Sequence, residues 1–316
     1  MGYKSMWMRL KAKGIKASRS VVRLTLKFLT PRLVEQRRRR RFQRRDYVNP
    51  GPNFCWHVDG YDKLKKYGFA IHGGIDGYSR RLMWLHVGVT NNHPQVTALY
   101  FARTVSQLKI VPCLLRCDRG TENVHLEKMQ KFWRRNGTDM FAGVNSFLYG
   151  RSTANQRIEA FWAVLRRQCT NFWMNMFSDM VQVGLFDVSD KVHIECARFC
   201  FMGLLRKELN AMFDYWNSHY IYENKRKGQI SGKPDKMYFL PKEYNTDCYG
   251  CEYNEGEVNP VIAELEVDEG NPFDVHPDFV ELVNILIPSW TSPNTVREAQ
   301  ELFVRILQAV QAHENR

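Results

Sequence analysis

The sequence lacks any run of about 18 uncharged apolar residues, so it predicts no membrane-spanning helix. Its first residues also lack an apolar h-region, and we expect neither a secretory signal nor a membrane partner. Among its 316 residues, 44% are hydrophobic and 25% are charged, which is typical of a globular protein. At this length the chain can bury one sizeable core and carry one or two small appendages.

Cysteines are scarce outside apolar surroundings. Most of the eight lie within apolar segments, which is typical of buried thiols in a reducing compartment, as at Cys55, Cys113, Cys169 and Cys200. Cys248 and Cys251 have the CxxC spacing of a zinc site, but no matching second pair accompanies them. His193 and Cys196 share one predicted helix with Cys200, where a buried apolar role is the better interpretation. We therefore expect no zinc.

Acidic residues are almost missing from the first 46 positions, which contain 16 Lys and Arg but only 2 Asp and Glu. Their net charge is +14, and because the whole chain carries +13, the other 270 residues sum to −1. A strongly basic end on a nearly neutral body predicts a polyanion partner, with nucleic acid as the first candidate. A basic solubilising tail is the alternative.

Two short helical patterns fall inside this basic end. Residues 3–13 have helical apolar spacing that ends at Gly14, and a second pattern begins at Ser18 or Ser20, either of which can act as an N-cap. The second pattern has an apolar face: Val21 or Val22, Leu24, Leu26 and Leu29. Its basic stripe is predicted to contact DNA: Arg19, Arg23 and Lys27. The two helices predict a helix-turn-helix-like DNA-binding region over residues 1–35.

A basic linker is predicted over residues 36–50, where "RRRRRFQRR" precedes "NPGPN". Its arginines could clamp the DNA backbone, act as a nuclear targeting signal or form a solvated linker: Arg37, Arg38, Arg39, Arg40 and Arg41. We expect a nuclear location in a eukaryotic cell and a cytoplasmic location otherwise.

From Phe54 onward the pattern changes to a mixed α/β order. Strands are predicted at 54–59, 68–76, 80–89, 112–117 and 144–149, with helices at 94–108, 122–135 and from about 154. Asp59 ends the first strand and Asp118 the fourth. An acid at a strand end is often a turn former or an N-cap. If these two strands are parallel neighbours, however, both acids lie where ligand sites of open α/β sheets form.

The third acid is on the helix that begins near residue 154. At 100° per residue this helix buries one apolar stripe: Ile158, Phe161, Leu165, Cys169 and Phe172. Asn155, Glu159 and Arg166 share a second stripe, which lets Glu159 lean over the sheet and its two neighbours contact DNA. The alternative is an ordinary surface glutamate and an arginine paired with a nearby acid. Three close carboxylates raise one another's pKa, and two Mg²⁺ or Mn²⁺ ions would relieve the repulsion.

Four stretches, "HVDGY", "IDGYSRRLMWL", "RCDRGTEN" and "NQRIEAFW", resemble the catalytic core of the retroviral integrase and transposase family. The resemblance implies an integrase core over residues 51–222, with a ribonuclease H-like mixed sheet flanked by helices. It also implies that Asp59, Asp118 and Glu159 are the catalytic metal ligands. The 40 residues between Asp118 and Glu159 form a slightly longer spacing than is usual in the family. The His-His-Cys-Cys zinc pattern that precedes retroviral cores is absent before Asp59.

Three further acids lie inside the same motifs. We expect Asp76 to hydrogen-bond the hairpin turn that follows it. Glu122 opens a helix, where the macrodipole favours a carboxylate. We expect neither of these residues, nor Asp62, to bind the metal.

A C-terminal extension is predicted over residues 223–316, after an amphipathic helix at 189–220. Residues 252–269 hold seven acids and no Lys or Arg, which favours a disordered acidic linker over a segment that docks on the basic N-terminus or a basic partner. Thr295 and Glu298 form a capping box that opens a final helix.

The resemblance implies a DNA-binding polynucleotidyl transferase that performs metal-dependent strand cleavage and strand transfer, and we expect a homo-oligomer. A domesticated, catalytically silent DNA-binding or scaffold protein that retains the integrase core is the alternative. A ribonuclease H-like nuclease without strand transfer is a third candidate. The intact set of three acids favours the first function.

Overall fold

The computed structural model describes residues 3, 6, 7, 10, 14–29, 31, 49–150, 155–222, 230–266 and 275–314. The chain divides into two compact units, Met1–Val48 and Asn49–Arg316. Their boundary falls close to residue 46, where the sequence changes from strongly basic to nearly neutral. The two units therefore differ in charge as well as in chain contacts.

In the first unit, helix α1 (Arg19–Leu29) begins after Ser18, whose Oγ accepts a hydrogen bond from the Val21 amide at 3.2 Å. Ser18 is thus the N-cap, one of the two serines that the sequence offers for this role. Trp7 lies beside the start of the helix, and its Nε1 donates to the Ala17 carbonyl at 2.9 Å. The helix-turn-helix itself stays a prediction.

The two predicted faces of α1 differ in how well they match the structure. Arg19, Arg23 and Lys27 are exposed, as a DNA-binding stripe requires. Val22 is the buried residue of α1, whereas Leu24 and Leu29 are more than half exposed. The predicted apolar face is therefore wrong at these two leucines. Helical spacing places residues on one side of a helix, but burial also needs a surface to pack against.

The second unit is built on a five-stranded sheet: β1 (Cys55–Tyr61), β2 (Ala70–Asp76), β3 (Leu82–Gly88), β4 (Leu114–Asp118) and β5 (Phe147–Gly150). The strand order is β3-β2-β1-β4-β5. Strands β1, β2 and β3 are antiparallel neighbours, whereas β1, β4 and β5 run parallel. This is the mixed sheet of a ribonuclease H-like α/β fold, as the sequence predicts.

Helices flank this sheet and continue beyond it: α2 (Pro94–Leu108), α3 (Val124–Trp133), α4 (Gln156–Leu165), α5 (Asn171–Gln182), α6 (Lys191–Ser218), α7 (Pro234–Phe239), α8 (Glu255–Glu266), α9 (Pro277–Leu286) and α10 (Val296–Glu314). Because side chains alternate along a strand, β1 contributes to two cores. Trp56 and Val58 pack with residues of α2 and α3, and Tyr61 packs with residues of α4, α5 and α6. Among the described residues, no helix is long and apolar enough to cross a membrane.

Helix α4 does not end the helical stretch that it begins. A π-helical turn, Arg166–Thr170, joins it to α5. The extra residue in such a turn shifts the buried face, so Trp173 is 1% exposed whereas Phe172 is 53% exposed. The prediction that Phe172 belongs to the buried stripe is wrong, because it assumes 100° per residue throughout. The turn also buries Thr170, whose Oγ1 shares a hydrogen bond of 2.7 Å with the Tyr61 hydroxyl.

The last helices are part of the main core. Helix α6 begins after Asp190, whose Oδ1 accepts a hydrogen bond from the Val192 amide at 2.7 Å, and both its ends lie within two residues of the prediction. Helix α10 packs on α6 and buries Phe303 completely. The predicted capping box is confirmed, since the Glu298 amide donates to Thr295 Oγ1 at 3.2 Å.

The acidic segment is folded where the structure describes it. Residues 255–266 form α8, which packs on α2 and buries Val258. Its glutamates pair with basic side chains in or just after α2 and α3: Lys109 with Glu255 at 3.1 Å, Arg135 with Glu257 at 2.6 Å and Arg103 with Glu266 at 2.6 Å. The expectation of a disordered linker is wrong for this helix, which docks on the core itself. Residues 267–269 lie outside the described part.

Candidate active site

The parallel pairing of β1 with β4 brings two acids together. The register pairs Cys55 with Leu114, Trp56 with Leu115 and His57 with Arg116. Two residues further along both strands, the same offset places Asp59 opposite Asp118. Side chains of paired residues in a parallel sheet point to the same face, so both carboxylates lie on the α4 side. The register confirms that β1 and β4 are parallel neighbours, which is the condition under which the sequence places the two acids together.

Asn155 fixes the start of α4 to β1. Its Nδ2 donates to the Val58 carbonyl at 2.8 Å, and its Oδ1 is 2.7 Å from His57 Nδ1. Since that oxygen can only accept, His57 Nδ1 carries the proton and donates it. Burial lowers the pKa of His57 to about 3, so the imidazole is neutral. These bonds hold the first turn of the helix against the strand that carries Asp59.

The burial of Asn155 corrects one sequence prediction. At 1% exposure, with its amide bonded to β1, Asn155 cannot share an exposed DNA-facing stripe with Glu159. The projection at 100° per residue fails here because Asn155 is the N-cap, with φ −86° and ψ 41°, and is not itself helical. Its role is to position the helix.

Glu159 lies in the first turn of α4 and is exposed. It is near enough to Asp59 for its charge to act on that residue. Burial, and then the charges of Asp118 and Glu159, raise the pKa of Asp59 from 3.8 to about 7. The three predicted acids therefore interact through one partly buried carboxyl.

Trp162 is a member of the site that sequence reasoning missed. Its Nε1 donates to Asp59 Oδ2 at 2.9 Å, and this bond lowers the pKa of Asp59 against the rise that burial causes. The indole packs on the Tyr61 ring with centroids 5.2 Å apart. Room for it comes from Gly73 in β2, where a Cβ would lie 2.8 Å from the indole. The signals were a tryptophan one turn after Glu159 and a glycine in a buried strand.

The three other acids of these motifs have structural partners. Asp76 is buried and accepts hydrogen bonds from the backbone and side chain of the turn, including Ser79 N and Ser79 Oγ at 2.7 Å, as the sequence predicts. Asp62 accepts from Asn91 Nδ2 at 2.8 Å. Glu122 Oε1 accepts from Asn123 Nδ2 at 3.0 Å. The carboxylate oxygens of these three acids therefore accept hydrogen bonds that stabilise the local structure.

The predicted DNA-contacting residues lie in three places. Arg166 is exposed at the start of the π turn, and its Nε donates to Asn171 Oδ1 at 3.3 Å, so its partner is an amide rather than an acid. Its charge also opposes the rise in the pKa of Tyr61 that burial causes. The basic stripe of α1 belongs to the first unit. The remaining predicted contacts lie outside the described residues: Arg37, Arg38, Arg39, Arg40 and Arg41.

The donor set fits a hard divalent cation in its chemistry. Carboxylate oxygens are the ligands that Mg²⁺ and Mn²⁺ prefer, and a cation would supply the positive charge that Asp59 lacks beside two other acids. Within the described part of the chain, however, no three His, Cys, Asp or Glu side chains stand in an arrangement that holds a metal ion. The carboxylates therefore interact electrostatically, but their positions do not form a complete metal-binding site.

A family model for the integrase core domain matches residues 47–238, more than half of the chain. The chain belongs to the integrase core domain family. No curated protein matches the sequence. The matched region contains the whole sheet and all three acids, and it ends within α7. Membership of the family indicates a polynucleotidyl transferase type of function with DNA as partner, and integrase core domains typically depend on a divalent metal ion.

Proposed function

We propose that this integrase core protein is a DNA integrase or transposase that cleaves DNA strands and joins a 3′-hydroxyl to target DNA, with Mg²⁺ or Mn²⁺ as cofactor. The observation that carries the proposal is that Asp59 and Asp118 lie on adjacent parallel strands and that Glu159, on the helix beside them, is near enough for its charge to act on Asp59. Two acids on adjacent parallel strands and a third on the helix that packs against them, on the fold that this family uses, are difficult to explain by turn formation alone.

The three carboxylates would hold the metal, which would neutralise charge on the scissile phosphate and activate the attacking oxygen. The chain's own residues provide the positions of these ligands. Trp162 orients Asp59 by donating its indole N–H to Oδ2 of that carboxyl. Asn155 holds the first turn of α4 against β1 and thereby sets where Glu159 can reach.

DNA would bind through two sets of basic side chains. The exposed stripe of α1 and the arginine run at 37–41 supply sequence-independent phosphate contacts. Arg166 lies two helical turns from Glu159, about 10 Å along the axis, and would contact a phosphate next to the reacting one. We further expect the active form to be a homo-oligomer.

The test is Asp118→Asn in the full-length chain. We expect loss of metal-dependent nicking of supercoiled plasmid and of joining of a labelled oligonucleotide, because the amide cannot supply a ligand charge. DNA affinity, measured by fluorescence anisotropy, should be unchanged within about twofold.

The matched control is Asp62→Asn, which changes an acid of the same motif whose carboxylate bonds to Asn91. This variant should retain cleavage. A wild-type protein that binds DNA but cleaves none with either metal would favour the catalytically silent DNA-binding alternative. Cleavage without joining would favour a ribonuclease H-like nuclease.

A further inference from the structure

Two cysteines meet where the chain returns to the sheet after α7. Val111 and Cys251 form an antiparallel bridge, with backbone N–O distances of 3.2 and 2.7 Å. Cys113, two residues after Val111 and one before β4, packs in the same small cluster as Cys251. The sequence separates these thiols by more than 130 residues, and the fold places them in contact.

The surroundings of the pair favour a thiolate at one sulfur. The guanidinium of Arg134 lies 4.0 Å from Cys113 Sγ and is itself held by Asp139 at 2.5 Å. A hydrogen bond from the Cys251 thiol, and then the Arg134 charge, lower the pKa of Cys113 against the effect of burial. The same bond and burial raise the pKa of Cys251. Because its sulfur lies beside this guanidinium, Cys113 is assigned as the sulfur that attacks first.

We propose that Cys113 and Cys251 form an oxidative modification site, at which a peroxide converts the two thiols into a disulfide. The Cys113 thiolate attacks one peroxide oxygen, the O–O bond breaks and a sulfenic acid forms at Cys113. The Cys251 sulfur then displaces the hydroxyl from that sulfenic acid, and the S–O bond breaks. Two thiols lose two electrons and two protons, and one hydrogen peroxide becomes two waters.

Selectivity follows from access and contact. Cys113 is buried and Cys251 is half-buried, so the pair meets solvent on the Cys251 side. Cys196 and Cys200 are also neighbours, one helical turn apart on α6, but both are buried in the main core. Cys248 is exposed, and its sulfur accepts a hydrogen bond from Asn53 Nδ2 at 3.3 Å. Among the described cysteines, only Cys113 and Cys251 combine thiol–thiol contact with access to solvent.

The disulfide would lock a helix in place. Cys251 lies at the start of the segment that leads into α8, whose glutamates pair with Arg103, Lys109 and Arg135. Helix α8 fully buries only Val258, and ion pairs at a surface are individually weak, so local unfolding can lift α8 from α2 in the reduced protein. A disulfide between Cys113, just before β4, and Cys251, at the start of this segment, restrains that opening.

The experiment treats the reduced full-length protein with hydrogen peroxide and maps its cysteines by non-reducing digestion and mass spectrometry. We expect a Cys113–Cys251 peptide, loss of two free thiols, and amide exchange in residues 252–266 at least tenfold slower until dithiothreitol is added. Cys251→Ser should lose the cross-link and accumulate a dimedone-reactive Cys113. Cys248→Ser, an exposed cysteine three residues away, should behave like the wild type.

Three outcomes would overturn the proposal. One is a cross-link between Cys248 and Cys251, and another is oxidation that begins at Cys196 or Cys200. The third is a Cys113–Cys251 disulfide that leaves exchange in α8 unchanged. Because Cys251 is only half-buried, its serine variant is expected to fold, and far-UV circular dichroism checks that it does.

Discussion

One carboxyl gives the metal-free protein a distinct pH dependence. Burial and two neighbouring acids raise the pKa of Asp59 from 3.8 to about 7. The folded protein therefore holds this proton more tightly than the unfolded chain does between pH 4 and 7. The stability that this protonation contributes is fully present below about pH 4 and is lost as the pH rises through 7. Since Asp59 is partly exposed, about 4 kcal/mol is an upper limit for that loss.

Asp59→Asn should stabilise the metal-free protein at alkaline pH. The amide is neutral at every pH and keeps an oxygen for the Trp162 N–H. We expect the free energy of unfolding at pH 8 to rise by about 1–3 kcal/mol, and the gain to vanish near pH 4. Urea unfolding across that range measures it, with Asp62→Asn as a control. A gain that does not vary with pH would rule out ionisation as its cause.

Trp162→Phe should shift the pH profile of cleavage. The phenyl ring keeps contact with Tyr61 but removes the hydrogen bond that lowers the pKa of Asp59. A hydrogen bond to a charged group contributes about 1.5 kcal/mol or more, so the acidic limb of the profile should move up by about one pH unit.

The matched control for this variant is Trp84→Phe. It removes another buried indole hydrogen bond, to His72 Nδ1 at 3.0 Å, in the core on the opposite face of the sheet. The pH profile of cleavage by Trp84→Phe should be the same as that of the wild type. An equal shift in both variants would mean that lost stability, and not the Asp59 contact, is responsible.

At the scale of the element, pattern predicts what is local and regular. The strands and α2 follow from alternation and from a proline at the first helical position, whereas the parallel pairing of β1 with β4 is a condition that the sequence leaves open. The role of Asn155 cannot be predicted from helical spacing, because an N-cap residue does not have helical backbone angles. The π turn could not be read from spacing either, since Phe172 and Trp173 are both large apolar residues and only packing selects between them.

The shifted phase of α5 gives a paired prediction. Phe172→Ser should cost less than about 0.5 kcal/mol, because that ring is 53% exposed. Trp173→Ala should cost about 3–5 kcal/mol, because its indole is buried and donates to Glu208 Oε2 at 2.5 Å. Urea denaturation measures both. If the two costs are similar or reversed, the helix continues without a π turn.

At the scale of the whole molecule, charge is divided between units. The first 46 residues carry +14 and the remainder −1. Part of that near-neutrality comes from α8, whose acids pair with bases of the core up to 163 residues away, as in Arg103 with Glu266. Composition shows the acidic segment but not its partners, so composition alone favours a linker. Strong long-range attraction for DNA is therefore expected of the first unit.

Deleting residues 1–46 should flatten the salt dependence of DNA binding. Each phosphate contact releases counterions and adds about 0.9 to the slope of log affinity against log salt. Replacing only Arg37, Arg38, Arg39, Arg40 and Arg41 by glutamine should lower that slope by at most about 4.5, and the deletion should lower it further. Fluorescence anisotropy with a random duplex, at salt concentrations from about 50 to about 300 mM, gives the slope for each variant, because log affinity falls linearly with log salt.

The control for these variants is Arg103→Gln. This arginine is as cationic as those of the first unit, but it pairs with Glu266 at 2.6 Å on the α8 side of the core. Its loss should leave the slope unchanged, because a base already neutralised within the protein releases few DNA counterions. If the deletion leaves the slope of the full-length protein intact, the core holds the DNA surface. Arg166, exposed two helical turns after Glu159, would then be the first residue of that surface to replace.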